Sequence, residues 1–485
     1  MKQIQDMIKR EEYPIRVLQF GEGNFLRAFV DQMVDEANGK NIFKGNIIAV
    51  KPRRGGNLTP FEEQDSLFTV YRRGKEKGNL ISKPQIVSCV KKVLHCYENY
   101  EEFMSLADLP SLEFIISNTT EAGIVFQPED QMEMTPPESF PGKVTQWLYR
   151  RFLHFSGSND KGITFLPTEL IENNGAELKN CILRYVKLWN LTDEFAHWIE
   201  TACTFCSTLV DRIVTGSPDD ASALFAEQGY EDKLLDIAEP FGFWAIENKG
   251  NIAERFPLDQ AGLPVLFTEN IAPYRERKVR ILNGAHTGTA LAAYLAGADT
   301  VGQCMKDSLI RRYMEQLVKK ELAQTVPLPE KEVADFVEDT FERFENSYLH
   351  HSLLSIALNS VSKWKARLLP SLKDYVKENK KLPSCIVFSF AALLAFYSGK
   401  SVDGNRQIQI RDDKAVLDFF EIHRQDPPRE LVLSAASQVS FWREDLSAIP
   451  SFTETAGDYF DIICKEGMRK AMEKLLNSVQ KEETV

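Results

Sequence analysis

Three side chains in the run "KVRILNGAHTGTALAAYLAG" are of the types that proton transfer at a carbonyl or alcohol oxygen requires: Lys278, Asn283 and His286. A lysine donates a proton during reduction, or accepts one during oxidation, when burial or a neighbouring positive charge lowers its pKa. An amide and an imidazole can hydrogen-bond the reacting oxygen and stabilise charge as it develops. At about 100° per residue on an α-helix, the three fall within roughly 140° of arc and can share one pocket-facing side. Gly284 and Gly288, one turn apart, would admit another backbone or a cofactor. Polar and glycine residues weaken helix propensity, so local stability does not explain them. Taken singly, each type has an ordinary structural use; together, downstream of a dinucleotide-binding fold, they point to catalysis.

That helix must be met by a cofactor, and the first half of the chain has the alternation of a parallel sheet with crossover helices. "IRVLQF" (15–20) reads as a strand. It runs into Gly21 and Gly23, and "FLRAFVDQMVDEANG" follows with apolar residues at helical spacing before Gly39. The first glycine permits a tight turn, and the second lets backbone approach a pyrophosphate at the helix N-terminus. Leu26 replaces the third glycine of the usual fingerprint, so an ordinary glycine turn remains the competing reading. "NIIAV" (46–50) completes the strand, helix, strand unit. After it come Lys51, Pro52, Arg53 and Arg54, where NAD-preferring sites often carry an acid; the two arginines suit either the extra phosphate of NADP or a solvated loop. "LEFIISNTTEAGI" and "GITFLPTELIENNG" supply later strands that end in polar turns at 117–123 and 168–175, where an open parallel sheet places its ligands.

Strand signals fade from Thr268, and amphipathic segments succeed one another. The fold class expected is α/β: a Rossmann-type parallel-sheet domain over 1–267, then a mainly α-helical domain over 268–485.

Composition excludes several classes. The formal net charge of −12, without a Lys/Arg stripe, argues against nucleic acid. The longest apolar run, "CIVFSFAALLAFY" (385–397), is too short for a bilayer span and suits a buried helix. No signal peptide is recognisable, and eight scattered cysteines suit a reducing cytoplasm. Cys203 and Cys206 lack a second pair or histidine motif, so packing is preferred to a metal site. Oligomeric state is not legible.

"FGEGNFLRAF", "SNTTEAG", "STLVDRIVTG" and above all "KVRILNGAHT" resemble the mannitol dehydrogenase family of polyol-specific long-chain dehydrogenases, and the resemblance covers nearly the whole chain, including "TELIENNG" and "LLSIALNSVSKWKARLLP". It implies a Rossmann domain, a helical C-terminal domain and metal-independent hydride transfer with NAD. Carried over by motif, Lys278 is the general acid/base, while Asn283 and His286 orient and polarise the reacting oxygen. Asp211 tunes the lysine or binds substrate, and Lys363 pairs with a carboxylate. Asn174 falls where relatives place an amide beside the substrate, although Thr168, Glu169 and Leu170 stand where mannitol-type members read cysteine, aspartate and asparagine. The cofactor is expected over Gly21, Gly23, Asn24, Phe25 and Arg27, with Thr119, Thr120 and Glu121 near its nicotinamide end.

Mannitol-type members carry an arginine at the position of Ser355, which disfavours a plain polyol. The substrate expected is a small sugar acid, a keto-uronate. Ala285, where fructuronate-reducing members tend to carry serine, favours D-tagaturonate, reduced by NADH to D-altronate in hexuronate breakdown. Rival readings are a short-chain dehydrogenase on Tyr71 and Lys75, and an NAD(H)-sensing regulator, which would keep Gly21 and Gly23 but need no lysine, asparagine and histidine on a helix.

Overall fold

The strand Ile15–Phe20 lies near the middle of a six-stranded sheet, with neighbours on both sides. In the computed structural model, which describes residues 2–120, 122–218, 221–348, 351–400 and 410–482, the spatial order is Val90–His95, Asn46–Lys51, Ile15–Phe20, Phe114–Ser117, Thr164–Pro167, Thr204–Phe205. All five pairings are parallel. Numbered along the chain this is 3-2-1-4-5-6, the order of a Rossmann sheet. Each strand is apolar on both faces because helices or other strands cover both. Val17, Ile116 and Leu166 point into one core, with Phe29, Met33 and Trp244. Their neighbours Leu18, Ile115 and Phe165 point into the other, with Phe103 and Trp147.

The sheet belongs to the first of two compact units, Met1–Ile271 and Ala272–Val485. Two smaller sheets complete that unit. Phe68–Glu76 and Asn79–Val87 form a hairpin, with Asp236–Ala238 parallel to the first strand. Tyr71 and Lys75 therefore sit in a strand. Thr208–Asp211 pairs antiparallel with Phe243–Glu247, so residues 204–211 serve two sheets. Cys203 and Cys206 are buried in separate cores, where burial pushes their thiols up to about 12 and about 11. The other six thiols are also raised, and seven of the eight cysteines are buried.

The second unit has no strand among its described residues. Its apolar helix Ser384–Ser398 is buried over almost its whole length. No helix among the described residues is long and apolar enough to cross a membrane. The amphipathic segment "LLSIALNSVSKWKARLL" is broken at Asn359, whose φ of 53° is left-handed, into Leu353–Ile356 and Ser360–Arg367. Asparagine tolerates that conformation better than most residues. "SLIRRYMEQLVKKELAQ" begins as the α-helix Ser308–Glu315 but continues as a π-helix, Gln316–Leu322.

Glu321 in this π segment is buried and accepts from Cys385 N at 2.7 Å and Ile386 N at 2.9 Å, satisfying two of the open donors at the start of the apolar helix. Burial pushes its carboxyl up to about 7. Glu321→Ala leaves two buried N–H groups unpaired and is expected to cost about 1–3 kcal/mol, read from denaturant unfolding of the full chain. An unchanged midpoint would show that water replaces the cap.

Candidate active site

The order in which strands are added reverses between Ile15–Phe20 and Phe114–Ser117, and the loops leaving those two parallel strands part at this point, opening a crevice. A cleft of about 330 Å³ is found there. One wall is Gly21, Gly23, Asn24 and Phe25; the others are Lys51 to Arg53 and Asn118 to Thr120. Gly21 has φ +122°, and a Cβ would stand 3.0 Å from both Asn118 O and Leu26 Cδ1. A Cβ at Gly23 would meet nothing within 4 Å, so backbone is presented to open space. Leu26, in place of the third glycine, is buried beneath the turn.

The far wall is held by a buried acid. Glu169 accepts from Thr119 N and Thr119 Oγ1 through Oε1, at 2.9 and 2.8 Å, and from Ser117 Oγ through Oε2, at 3.0 Å. Burial raises its pKa, against the pull of those three bonds. Arg53 Nη2 donates to Thr119 O at 3.2 Å and Thr120 Oγ1 at 3.1 Å. Arg54 turns to Glu138 and is exposed. Lys51 Nζ pairs with Glu22 Oε1 at 2.5 Å.

In the second unit, Lys278 and Asn283 are the first and last residues of a π-helix that continues from Ala272–Arg277 and passes into Gly284–Leu295. An α-helix would separate residues five apart by about 140°. A turn closed by i→i+5 bonds instead stacks them, as an α turn stacks residues four apart. Lys278 and Asn283 are thereby aligned along one face, and His286 follows Asn283 by three. Both are half-buried, as is His286.

The imidazole of His286 packs on Phe344 with ring centroids 4.6 Å apart and edge-on to His351 at 4.8 Å. Its Nε2 is buried and has no hydrogen-bond partner among the described residues. Desolvation, then the positive surroundings of His351, Arg343, Arg367 and Lys363, hold its pKa well below the usual value. It is therefore neutral at pH 7, able to give or take a hydrogen bond. Gly284 and Gly288 admit neither backbone nor ligand: Leu322 and Leu317 of the π segment fill the space a Cβ would need, at 3.0 and 2.5 Å. Lys363 Nζ donates to Ile356 O at 2.9 Å.

Comparison with known proteins bears on both units. Residues 15–260 match the model of the mannitol dehydrogenase Rossmann domain, and 270–464 that of the mannitol dehydrogenase C-terminal domain. The chain belongs to the mannitol dehydrogenase family. Within that family the altronate oxidoreductase of Yersinia enterocolitica is 40% identical over 468 residues, covering 95% of this chain and 96% of that protein. The altronate oxidoreductase of Klebsiella pneumoniae is 40% identical over 472, covering 96% and 97%. Among solved structures, a substrate-free D-sorbitol dehydrogenase aligns with TM-score 0.81 at 22% identity over 94% of this chain and 95% of its own. Pseudomonas fluorescens mannitol 2-dehydrogenase, in a ternary complex with NAD and D-mannitol, gives 0.69 at 19% over 96% and 95%; at these identities the likeness shows the fold. The protein is an oxidoreductase acting on a CH–OH group.

Against this mannitol dehydrogenase framework two expected contacts require correction. Arg27 is buried beneath the cleft: Nη2 donates to Asn24 Oδ1 at 2.6 Å, Nη1 to Leu234 O, and Asp236 lies 3.6 Å away, with Phe68 under the guanidinium. It ties the cofactor turn to the small sheet. Asn174 is also buried, its amide donating to Pro167 O, Glu169 O and Thr208 O while its oxygen accepts from Gly175 N and Thr208 N. Every polar site is used, so it clamps two strands and offers a substrate nothing.

Asp211 is buried at the end of Thr208–Asp211, in the unit other than that of Lys278. Glu121 lies outside the described residues. Sequence reasoning did not assign Asn118, Lys51, Glu169 or Arg367; Asn118 lies inside the quoted "SNTTEAG", Lys51 directly follows "NIIAV", and Glu169 was visible as a departure from mannitol-type members.

Because folding lowers the His286 pKa, the unfolded chain takes up its proton first as pH falls below 6.5, and stability then declines toward acid. The thermal midpoint is expected to drop between about pH 7 and pH 5, and His286→Phe to flatten part of that slope. Identical slopes in variant and wild type would place the acid sensitivity elsewhere.

Proposed function

We propose that this chain interconverts D-tagaturonate and D-altronate with NAD(H). The observation that carries the chemistry is the π turn aligning Lys278 and Asn283, followed by a neutral, half-buried His286 whose Nε2 lacks a partner among the described residues. The substrate identity is supported by the altronate oxidoreductases at 40% identity over almost the whole chain. The cleft fits a dinucleotide: Gly23 leaves backbone bare to open space at a helix start, and Gly21 makes the turn.

Held over Gly21 and Gly23, NADH would supply a hydride to the carbonyl carbon. The ammonium of Lys278 gives its proton to the carbonyl oxygen as charge develops there, completing the alcohol; in oxidation its amine takes that proton back. Asn283 and His286 donate hydrogen bonds to the same oxygen, which are strongest when it carries most charge. Neutral His286 adds a donor without adding charge to its basic surroundings. The protein as a whole would serve hexuronate breakdown. Arg54 is engaged by Glu138 and Arg53 by the Thr119–Thr120 loop, which supports NADH over NADPH.

The first test is loss of reduced-nicotinamide absorbance with tagaturonate, fructuronate and fructose, offering NADH and NADPH in turn. Turnover confined to tagaturonate and NADH is expected; preference for another substrate would correct the reading, and inactivity across the panel would overturn it. Lys278→Ala should lower kcat by about 10²–10⁴-fold with NADH binding retained, and normal turnover would remove its role. Gly23→Val should fill the open space of the turn and weaken NADH binding, measured by fluorescence titration.

A further inference from the structure

Lys363 and Arg367 stand four residues apart on Ser360–Arg367, on one side of the helix. Both are half-buried, and neither makes an ion pair among the described residues. Asp412 is the acid nearest Lys363 in effect, but it is already taken by Tyr397 Oη and by Val361 N, at 3.3 Å. Arg367 Nη1 donates to Thr287 Oγ1 at 3.1 Å, and Thr287 follows His286 directly on its helix. The guanidinium is thus moored beside the imidazole with one of five N–H groups committed, leaving donors for a second partner. Asp412 still lends Lys363 some opposite charge, but Arg367 has none beside it among the described residues, and a partly desolvated guanidinium in that state is costly unless a ligand brings the opposite charge. Burial lowers the pKa of each, as expected of cations awaiting an anion.

We propose that Arg367 is the receptor for the substrate's carboxylate, gripping both oxygens of the sugar acid's far end while Lys363 adds charge from one turn away. A guanidinium fork matches a carboxylate in geometry, whereas a neutral polyol end offers it no charge. Arg367 is a binding residue that sets specificity and takes no part in proton transfer. The assignment rests on the reading that the substrate is a keto-uronate.

The test compares tagaturonate with a neutral ketohexose in wild type, Arg367→Met, Arg367→Lys and Thr287→Val, with NADH titration to confirm folding. Arg367→Met is expected to raise the KM for tagaturonate by about 10- to 100-fold, the range for a hydrogen bond to a charged group. Arg367→Lys should recover part of that loss, Thr287→Val should give a smaller rise, and preference for uronate over ketohexose should shrink accordingly. An unshifted tagaturonate KM in Arg367→Met, or equal losses on both substrates, would overturn the proposal while leaving the keto-uronate reading intact. Wild type that reduces the ketohexose but not tagaturonate would overturn that reading, and this proposal with it. Should Arg367→Met fail to bind NADH, Arg367→Lys and Thr287→Val carry the comparison, and wild-type KM values in both would be decisive against it.

Discussion

A parallel strand can be followed by another only if the chain returns to the same end of the sheet, so every strand C-terminus is delivered to one edge. Here that requirement gathers the loops after Phe20, Val50 and Ser117 around one crevice. The order 3-2-1-4-5-6 makes the crossovers diverge on either side of Ile15–Phe20, and no side chain is needed to open the gap. What the side chains do is stiffen its walls. Glu169 reaches across from the neighbouring strand end to Thr119 and Ser117, and Arg27 anchors the glycine turn from below. Glu169 is fixed by three hydrogen bonds, and Arg27 by two and the neighbouring Asp236 carboxylate, so each holds its wall in one geometry.

The helical unit uses the same economy with different means. Its π segments carry one residue more per hydrogen-bonded ring than an α turn, which changes which side chains align. One aligns Lys278 with Asn283; the other puts Leu317 and Leu322 into the notches at Gly288 and Gly284 and carries Glu321 to the end of the apolar helix. Around His286 burial first, and then the half-dry positive groups beside it, keep the imidazole neutral.

Much of the fold could be read directly. Ile15–Phe20 ends in four buried residues followed by two glycines, and Asn46–Lys51 and Phe114–Ser117 are short apolar runs at the right spacing. The hairpin 68–87 escaped because "YRRGKEKGNLISKPQ" is charged and contains Pro84, features that belong to an exposed edge strand as readily as to a loop. Lys278, Asn283 and His286 were recognisable by type, but the π turn that aligns the first two depends on a backbone bonding register that no side-chain pattern encodes. Asn174 and Arg27 were misjudged for one reason: their partners, Thr208 and Leu234, are remote in sequence, and whether a polar group is already satisfied depends on such partners. Arg367 was passed over because a single arginine in an amphipathic helix looks solvated until Thr287 is seen beside it.

The thiols carry a last consequence. Only the thiolate attacks an electrophile, and every cysteine here is held protonated by its surroundings, with Cys464 alone short of full burial. Thiolate chemistry is therefore disfavoured at each of these positions. That inertness comes from packing in both units: five of the thiols lie in the sheet-bearing unit and three among the helices of the second.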